Sequence, residues 1–208
     1  MTRTIVHLLR HGEVFNPRHV LYGRLPGFHL SEAGLLMAKR AAEALTGHDV
    51  VLVLSSPLER ARETAEPVAA RFGVPVEIDE RLIEATNAFE GQRVGDGALR
   101  RPRSWWLVRN PWRPSWGEPY VEVAARMWAA VQDARRRAAG HEAVCVSHQL
   151  PIWTVRRMLE RRPLWHHPGR RQCALGSITS LVFDDEAVVA VTYAEPSGRA
   201  GIGELAGA

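Results

Sequence analysis

Cysteine is scarce in this sequence: two residues in 208, Cys145 and Cys173. Two lone thiols make neither a disulfide framework nor a metal-ligand spacing. Cys145, inside Ala143-Val144-Cys145-Val146, reads as a small buried hydrophobe. Lysine is scarcer still, since Lys39 is the single lysine among 27 basic residues. The remainder are arginines, an excess that accompanies one of alanine and glycine and is in part compositional. Long apolar runs are also missing, and nothing approaches the ~20 residues a membrane-spanning helix needs. The first residues carry no pattern of charged start, apolar stretch and small-residue cleavage site. A cytoplasmic protein with no membrane partner is expected.

What is present suits one domain, or one domain carrying a sizeable insertion. The chain is long enough for a substantial core, and 46% of it is apolar. Residues 4–9 form a near-continuous apolar run, as in a strand covered on both faces. Ser31 precedes a helical pattern over residues 32–45 and can cap it. Residues 50–54 read as a second strand. Ser56 and Pro57 look like the cap and first position of a helix running to about Phe72, which Gly73 ends. Further strands are expected at 74–78 and 143–146, with helices at 120–139 and 152–160. A hairpin is expected at 178–183 and 187–193, turning through Asp184-Asp185-Glu186. Alternating strands and helices predict an α/β protein with a largely parallel sheet.

Residues 85–117 break that rhythm. Trp105, Trp106, Trp112 and Trp116 lie among Arg100, Arg101, Arg103, Arg109 and Arg113. A connection this long is usually functional or disordered, and clustered tryptophans argue against disorder. It reads as a lid-like insertion over a substrate. Interleaved basic and aromatic residues can also stack on single-stranded nucleic acid, but no nucleic-acid module surrounds them, so no nucleic-acid partner is expected. From Glu195 onward the composition suggests a frayed tail.

Three expected strand ends carry polar groups at one topological position. Arg10-His11-Gly12-Glu13 follows the first strand, Ser55 to Arg60 the second, and Ser147-His148 the fourth. Ligands of open parallel sheets bind outside the carboxyl ends of the strands. Imidazole can be a nucleophile, and a guanidinium fork matches phosphate oxygens. Net charge +4 also suits an anionic partner.

These segments resemble the histidine phosphatase superfamily, which includes the cofactor-dependent phosphoglycerate mutases. Leu9-Arg10-His11-Gly12-Glu13 is similar to the family signature. Ser55-Ser56-Pro57-Leu58-Glu59-Arg60-Ala61, followed by Thr64-Ala65, is similar to a second, very specific motif. Residues 79–84 with Glu90-Gly91, then Val146-Ser147-His148, complete the order. The resemblance implies a three-layer sandwich with a mostly parallel central sheet flanked by helices. It implies that His11 attacks phosphorus and becomes phosphohistidine. Arg10, Arg60 and a protonated His148 would line the phosphate pocket, and Glu84 would protonate the leaving oxygen, with Glu13 and Glu90 as substitutes. No metal or cofactor is implied, because those cations would take over the electrostatic role of a metal. Asn16 resembles a phosphate-contacting asparagine at a spacing one residue shorter, and Arg24 lies in a loop that could reach substrate. Arg62, about 200° around the helix from Arg60, should face solvent. His7 should be a core or sheet residue, and His166 and His167 should be solvated.

Three departures stand out. Gln149 follows His148 where glycine is usual, Asn87-Ala88-Phe89 leads into the Glu-Gly pair, and Glu118-Pro119 replaces a common Gly-Glu-Ser. The leading expectation is a metal-independent phosphatase of a small phosphorylated metabolite, acting as a monomer or homodimer. Phosphoglycerate mutase and a non-catalytic phospho-ligand-binding protein are the alternatives.

Overall fold

The computed structural model describes residues 2–93 and 117–198. The four tryptophans of the insertion, and everything from residue 199 onward, lie outside the described residues. Strands β1 (Arg3–Arg10), β2 (Val50–Ser55), β3 (Val76–Ile78), β4 (Glu142–Ser147), β5 (Ile178–Asp184) and β6 (Ala187–Ala194) form one sheet in the order β3-β2-β4-β1-β5-β6. Pairs β1–β4, β4–β2 and β2–β3 are parallel, while β5 and β6 add antiparallel strands at one edge.

Helices α1 (Glu32–Ala44) and α2 (Glu59–Phe72) cover one face, while α3 (Tyr120–Arg137) and α4 (Gln149–Leu159) cover the other. Strand alternation divides the core accordingly. Leu9, Val53, Val144 and Val146 meet alanine-rich faces of α1 and α2, while Val6, Leu8, Leu54 and Cys145 meet Met127, Val131, Ile152 and Val155. The three-layer α/β arrangement expected from the sequence is the one observed.

Two helix starts differ from expectation. Ser31 does cap α1, accepting the Gly34 N–H at 3.0 Å. Helix α2, however, begins at Glu59 rather than Pro57, with Leu58 as an N-cap that offers no side-chain bond. The Ser56 hydroxyl accepts the Leu58 N–H at a long 3.4 Å and lies closer, at 2.8 Å, to the His148 ring. Helix α4 begins at Gln149, three residues earlier than its pattern suggests. Pro151 is tolerated there because first-turn N–H groups have no intrahelical acceptor.

The loop after β1 is pressed against the first turn of α1. A Cβ on Gly12 would stand 2.5 Å from the Gly34 carbonyl oxygen, and a Cβ on Gly34 only 2.0 Å from that of Glu13. Glu13 reinforces the contact by accepting the Ser31 hydroxyl at 2.6 Å. In an ordinary helix Gly→Ala gains about 1 kcal/mol. Here Gly34→Ala should instead cost roughly 1–3 kcal/mol, the usual penalty of overpacking. Urea unfolding of the variant against the parent checks this, and a stabilised variant would contradict the close approach.

Candidate active site

The polar ends of β1, β2 and β4 meet at the carboxyl edge of the sheet. Arg10 pairs with Ser147 in the parallel ladder, and Ser55 pairs with Val146. This register sets His11 beside His148, with ring centroids 5.1 Å apart. His11, Arg60 and His148 are fully buried, or within 1% of it, and Arg10 and Glu84 are buried as well.

The ring of His11 has a defined orientation. Its Nδ1 lies 2.8 Å from the Gly12 carbonyl, an acceptor, so Nδ1 carries the proton and Nε2 carries the lone pair. Nε2 has no partner among the described residues. Gly12 is itself held, since its N–H donates to the Thr64 hydroxyl at 3.1 Å, and that hydroxyl donates to the Arg60 carbonyl at 2.7 Å. Thr64 thus couples the loop carrying His11 to the first turn of α2 carrying Arg60. Burial, then Arg60 and Arg10, hold His11 well below the ordinary imidazole pKa, so it stands neutral.

Arg60 donates through Nη2 to the Gly23 carbonyl at 2.6 Å, and its guanidinium lies 4.7 Å from the centroid of the Tyr22 ring. Its Nε and Nη1 have no partner among the described residues. Arg10 donates through Nη1 to the Cys173 carbonyl at 2.6 Å, and its Nε is likewise unpartnered. Unpaired buried donors are costly. Two guanidiniums presenting such donors beside an unpartnered imidazole nitrogen form a receptor for an anion. Helices α2 and α4 both start here without side-chain caps, and their N-termini favour negative charge.

His148 departs from expectation. Its Nε2 lies 2.8 Å from the Ser56 hydroxyl, and its Nδ1 lies 3.4 Å from Arg60 Nη2. A ring nitrogen facing a cationic donor must be the acceptor. Burial, then Arg60 and His11, push its pKa well below the ordinary value. It is therefore neutral here, not protonated, and only an anion in the pocket would reverse that.

Glu84 follows a short 3-10 turn, Glu80–Leu82, at the end of β3. Ser147 anchors this segment by donating to the Leu82 carbonyl at 2.6 Å, and Arg126 on α3 donates to the Arg81 and Ile83 carbonyls at 2.7 Å each. Glu84 Oε1 accepts the Ala85 N–H at 2.8 Å. Burial raises the carboxyl pKa, outweighing the Ala85 bond and the pull of Arg60, Arg171 and Arg10. A carboxyl whose pKa is raised by burial, in a site that also holds a neutral imidazole, has the character acid catalysis draws on. Glu13 and Glu90 are occupied elsewhere: Glu13 holds Ser31, and Glu90 accepts the Arg24 and Asn87 N–H groups.

The structure reassigns three other expectations. Asn16 spends both ends of its amide on the main chain of Val20 and closes its own loop rather than facing a phosphate. Arg24 donates to the Glu84 carbonyl at 2.6 Å and to Glu118 at 2.9 Å, so it braces the acid's segment. His166 is buried rather than solvated, its Nδ1 donating to the Leu164 carbonyl and its Nε2 accepting from Arg171 Nε at 2.8 Å. Gln149 Oε1 accepts from Arg171 Nη1 at 3.0 Å. Arg171, which sequence reasoning missed, is thereby clamped at two points. With Glu84, Asn87, Glu118 and Tyr120 it lines a cavity of about 150 Å³. Its sequence signal was only the unexplained Gln149. Arg62 is exposed and His7 is buried, as expected.

The chain belongs to the histidine phosphatase superfamily (branch 1), whose family model matches residues 6–196. An uncharacterized protein of Mycobacterium tuberculosis is 59% identical over 196 residues, covering 93% of this chain and 97% of its own. Among solved structures, YhfR of Bacillus stearothermophilus is similar with TM-score 0.76 and 27% identity, over 89% of this chain and 95% of that one. A mycobacterial glucosyl-3-phosphoglycerate phosphatase is similar with TM-score 0.73 and 28% identity, over 92% of this chain and 97% of that one.

The neutral histidines have a consequence for stability. Both folded pKa values lie below the unfolded 6.5. Below that pH the unfolded chain binds protons that the native chain refuses, so stability falls as pH falls. Glu84, with its pKa raised, works in the opposite sense. The diagnostic is therefore a difference of slopes. Between about pH 7.5 and about 5.5, the unfolding free energy of His148→Gln should decline less steeply than that of the parent. Equal slopes in urea titrations would mean that His148 is not held neutral.

Proposed function

We propose that this chain is a phosphomonoesterase that acts on a small phosphorylated metabolite through a phosphohistidine on His11, with no metal in the chemistry. The observation that carries the reading is the cluster of buried, unpartnered atoms: His11 Nε2, Arg10 Nε, and Arg60 Nε and Nη1. A bound phosphate would satisfy the guanidinium donors while presenting phosphorus to the imidazole.

In this mechanism the Nε2 lone pair attacks phosphorus in line, and the bond to the leaving oxygen breaks. Arg10 and Arg60 stabilise the charge on the equatorial oxygens, fixed in place before the reaction. The Nδ1–H bond to the Gly12 carbonyl strengthens as His11 gains positive charge. Glu84 gives its proton to the departing alkoxide, then as carboxylate takes one from the water that attacks the phosphohistidine. The P–N bond breaks, inorganic phosphate leaves, and both residues return to their starting forms. The phosphate dianion, once bound, also favours the charged form of His148.

The cavity beside Glu84 is the natural seat of the leaving portion. Arg171 on its wall suits a substrate carrying a second anionic group there. The name of the similar mycobacterial phosphatase, which specifies a phosphoglycerate derivative, supports that class.

Hydrolysis of an aryl phosphate with excess chelator, compared with His11→Ala, tests the proposal. Turnover should survive the chelator and vanish in the variant. Phosphoryl exchange within phosphoglycerate in place of phosphate release would indicate a mutase instead. Glu84→Gln should lower kcat on alkyl phosphates by about 10²–10⁴ yet barely affect an aryl leaving group that needs no proton. Equal losses on both would remove the acid role. Arg171→Met should lower kcat/KM for carboxylated phosphomonoesters by roughly 10- to 100-fold, the worth of a charge-assisted hydrogen bond. Neutral phosphomonoesters should be little changed, and unselective loss would contradict the anionic leaving group.

A further inference from the structure

The polar cluster at the other edge of the sheet has no part in this chemistry. His7 occupies the middle of β1 between Val6 and Leu8, both fully buried, and is itself 2% exposed. Its Nε2 lies 2.7 Å from Glu142 Oε2 at the start of β4. His48, in the loop between α1 and β2, places Nδ1 2.7 Å from the same carboxylate oxygen. The two imidazoles meet edge to face, with centroids 5.1 Å apart. One ligand atom from each of the three residues falls within 4.8 Å of the others.

The geometry points to a binding site for a divalent cation of the zinc class, held by His7 Nε2, His48 Nδ1 and Glu142. Two imidazoles and one carboxylate form a borderline-soft donor set of the kind zinc accepts, leaving a fourth position for water. The partner on the far side of His7 strengthens the assignment. Its Nδ1 lies 2.8 Å from the Ser180 hydroxyl, and Ser180 stands opposite His7 in the β1–β5 ladder. Metal-ligating histidines are characteristically oriented by a second hydrogen bond at the other ring nitrogen. Tetrahedral ligands at about 2.0–2.2 Å from an ion lie ~3.3 Å apart, so each nitrogen, now 2.7 Å from Glu142 Oε2, must draw back by about half an ångström. The half-exposed His48 loop can supply that movement and gives the ion a path from solvent.

The protons balance. Both imidazoles bind as neutral ligands. Any proton now shared with Glu142 moves to the far nitrogen of its ring, where on His7 it donates to Ser180, or leaves to solvent. The ion would join β1, β4 and the α1–β2 loop at the amino edge of the parallel strands, opposite His11. Its role would be structural, compatible with metal-free phosphoryl transfer.

The test uses the full chain, stripped with chelator and then freed of it. Zinc chloride titrated at neutral pH should raise the melting temperature and saturate at one ion per chain. Cobalt(II) should give the intense visible absorption of a four-coordinate site. His48→Ala, at a partly exposed loop position, and Glu142→Gln should each weaken binding at least about tenfold. His141→Ala, which removes a nearby exposed histidine paired with Asp49, should not. Stoichiometric zinc should leave aryl phosphate hydrolysis unchanged. No thermal shift, or a shift undiminished in both ligand variants, would overturn the site. So would zinc that inhibits hydrolysis regardless of His48, because the ion would then be on the catalytic histidines. The thermal shift, stoichiometry and cobalt absorption stand whether or not the phosphatase reading holds.

Discussion

A fully buried guanidinium that forms no ion pair among the described residues is the constraint around which the carboxyl edge of the sheet is built. Arg60 keeps its charge inside the protein on one carbonyl, the face of Tyr22 and a distant contact to His148. Such a group is tolerated only if the fold is stable enough to carry it. The surrounding structure does carry it: α2 is anchored on the sheet by Ala61, Ala65 and Val68, all fully buried. The helix start that comes near it, at α4, offers only the neutral ring of its N-cap residue His148. The site is left short of negative charge and so suits an anion.

Much of the framework was legible because each element carried its own signal. Ser31 capped its helix, Gly73 closed α2 in a left-handed conformation, and the β-branched runs became strands. The carboxyl-edge position of His11, Arg60 and His148 followed from topology, which sequence periodicity can reach. What escaped were roles set by long-range hydrogen bonds. Ser56 had the local features of a helix cap, yet a histidine 92 residues away engages its hydroxyl. Asn16 and Arg24 had the right chemistry for a phosphate, yet nearby carbonyls and Glu118 claim them. His166 sits in a basic, apparently solvated stretch, and only the packing of Tyr120 and Trp153 around it reveals its burial.

The departures from the family pattern belong together. Gln149 reaches both Arg171 and the Cys173 carbonyl that also receives Arg10. Glu118 ties Arg24 to Arg126, and those two arginines grip the backbone on either side of Glu84. A glycine at position 149 would leave Arg171 held by His166 alone. The unusual residues thus shape the wall of the cavity beside Glu84 while Arg10, His11, Arg60 and His148 keep the family pattern. Under the proposed function, variation confined to that wall would change which ester is accepted without altering how it is cleaved.

One physical cause shifts both groups of the proposed proton chemistry toward their neutral forms. Desolvation disfavours the charged form of any group, so the same burial that lowers His11 raises Glu84. Charge alone would not do this. Arg10 and Arg60 also favour neutral His11, but together with Arg171 they pull Glu84 toward the carboxylate. Burial outweighs that pull at Glu84, and among the described residues the carboxyl accepts a backbone N–H rather than an arginine. A bidentate Arg–Glu84 pair would keep the same residues in the same pocket and remove the proton donor. The braces therefore grip carbonyls next to Glu84 and leave its second oxygen outside any ion pair. In the proposed mechanism, keeping the cations on the phosphate side and, among the described residues, a main-chain N–H on the carboxyl is what would let one buried pocket hold a base and an acid together.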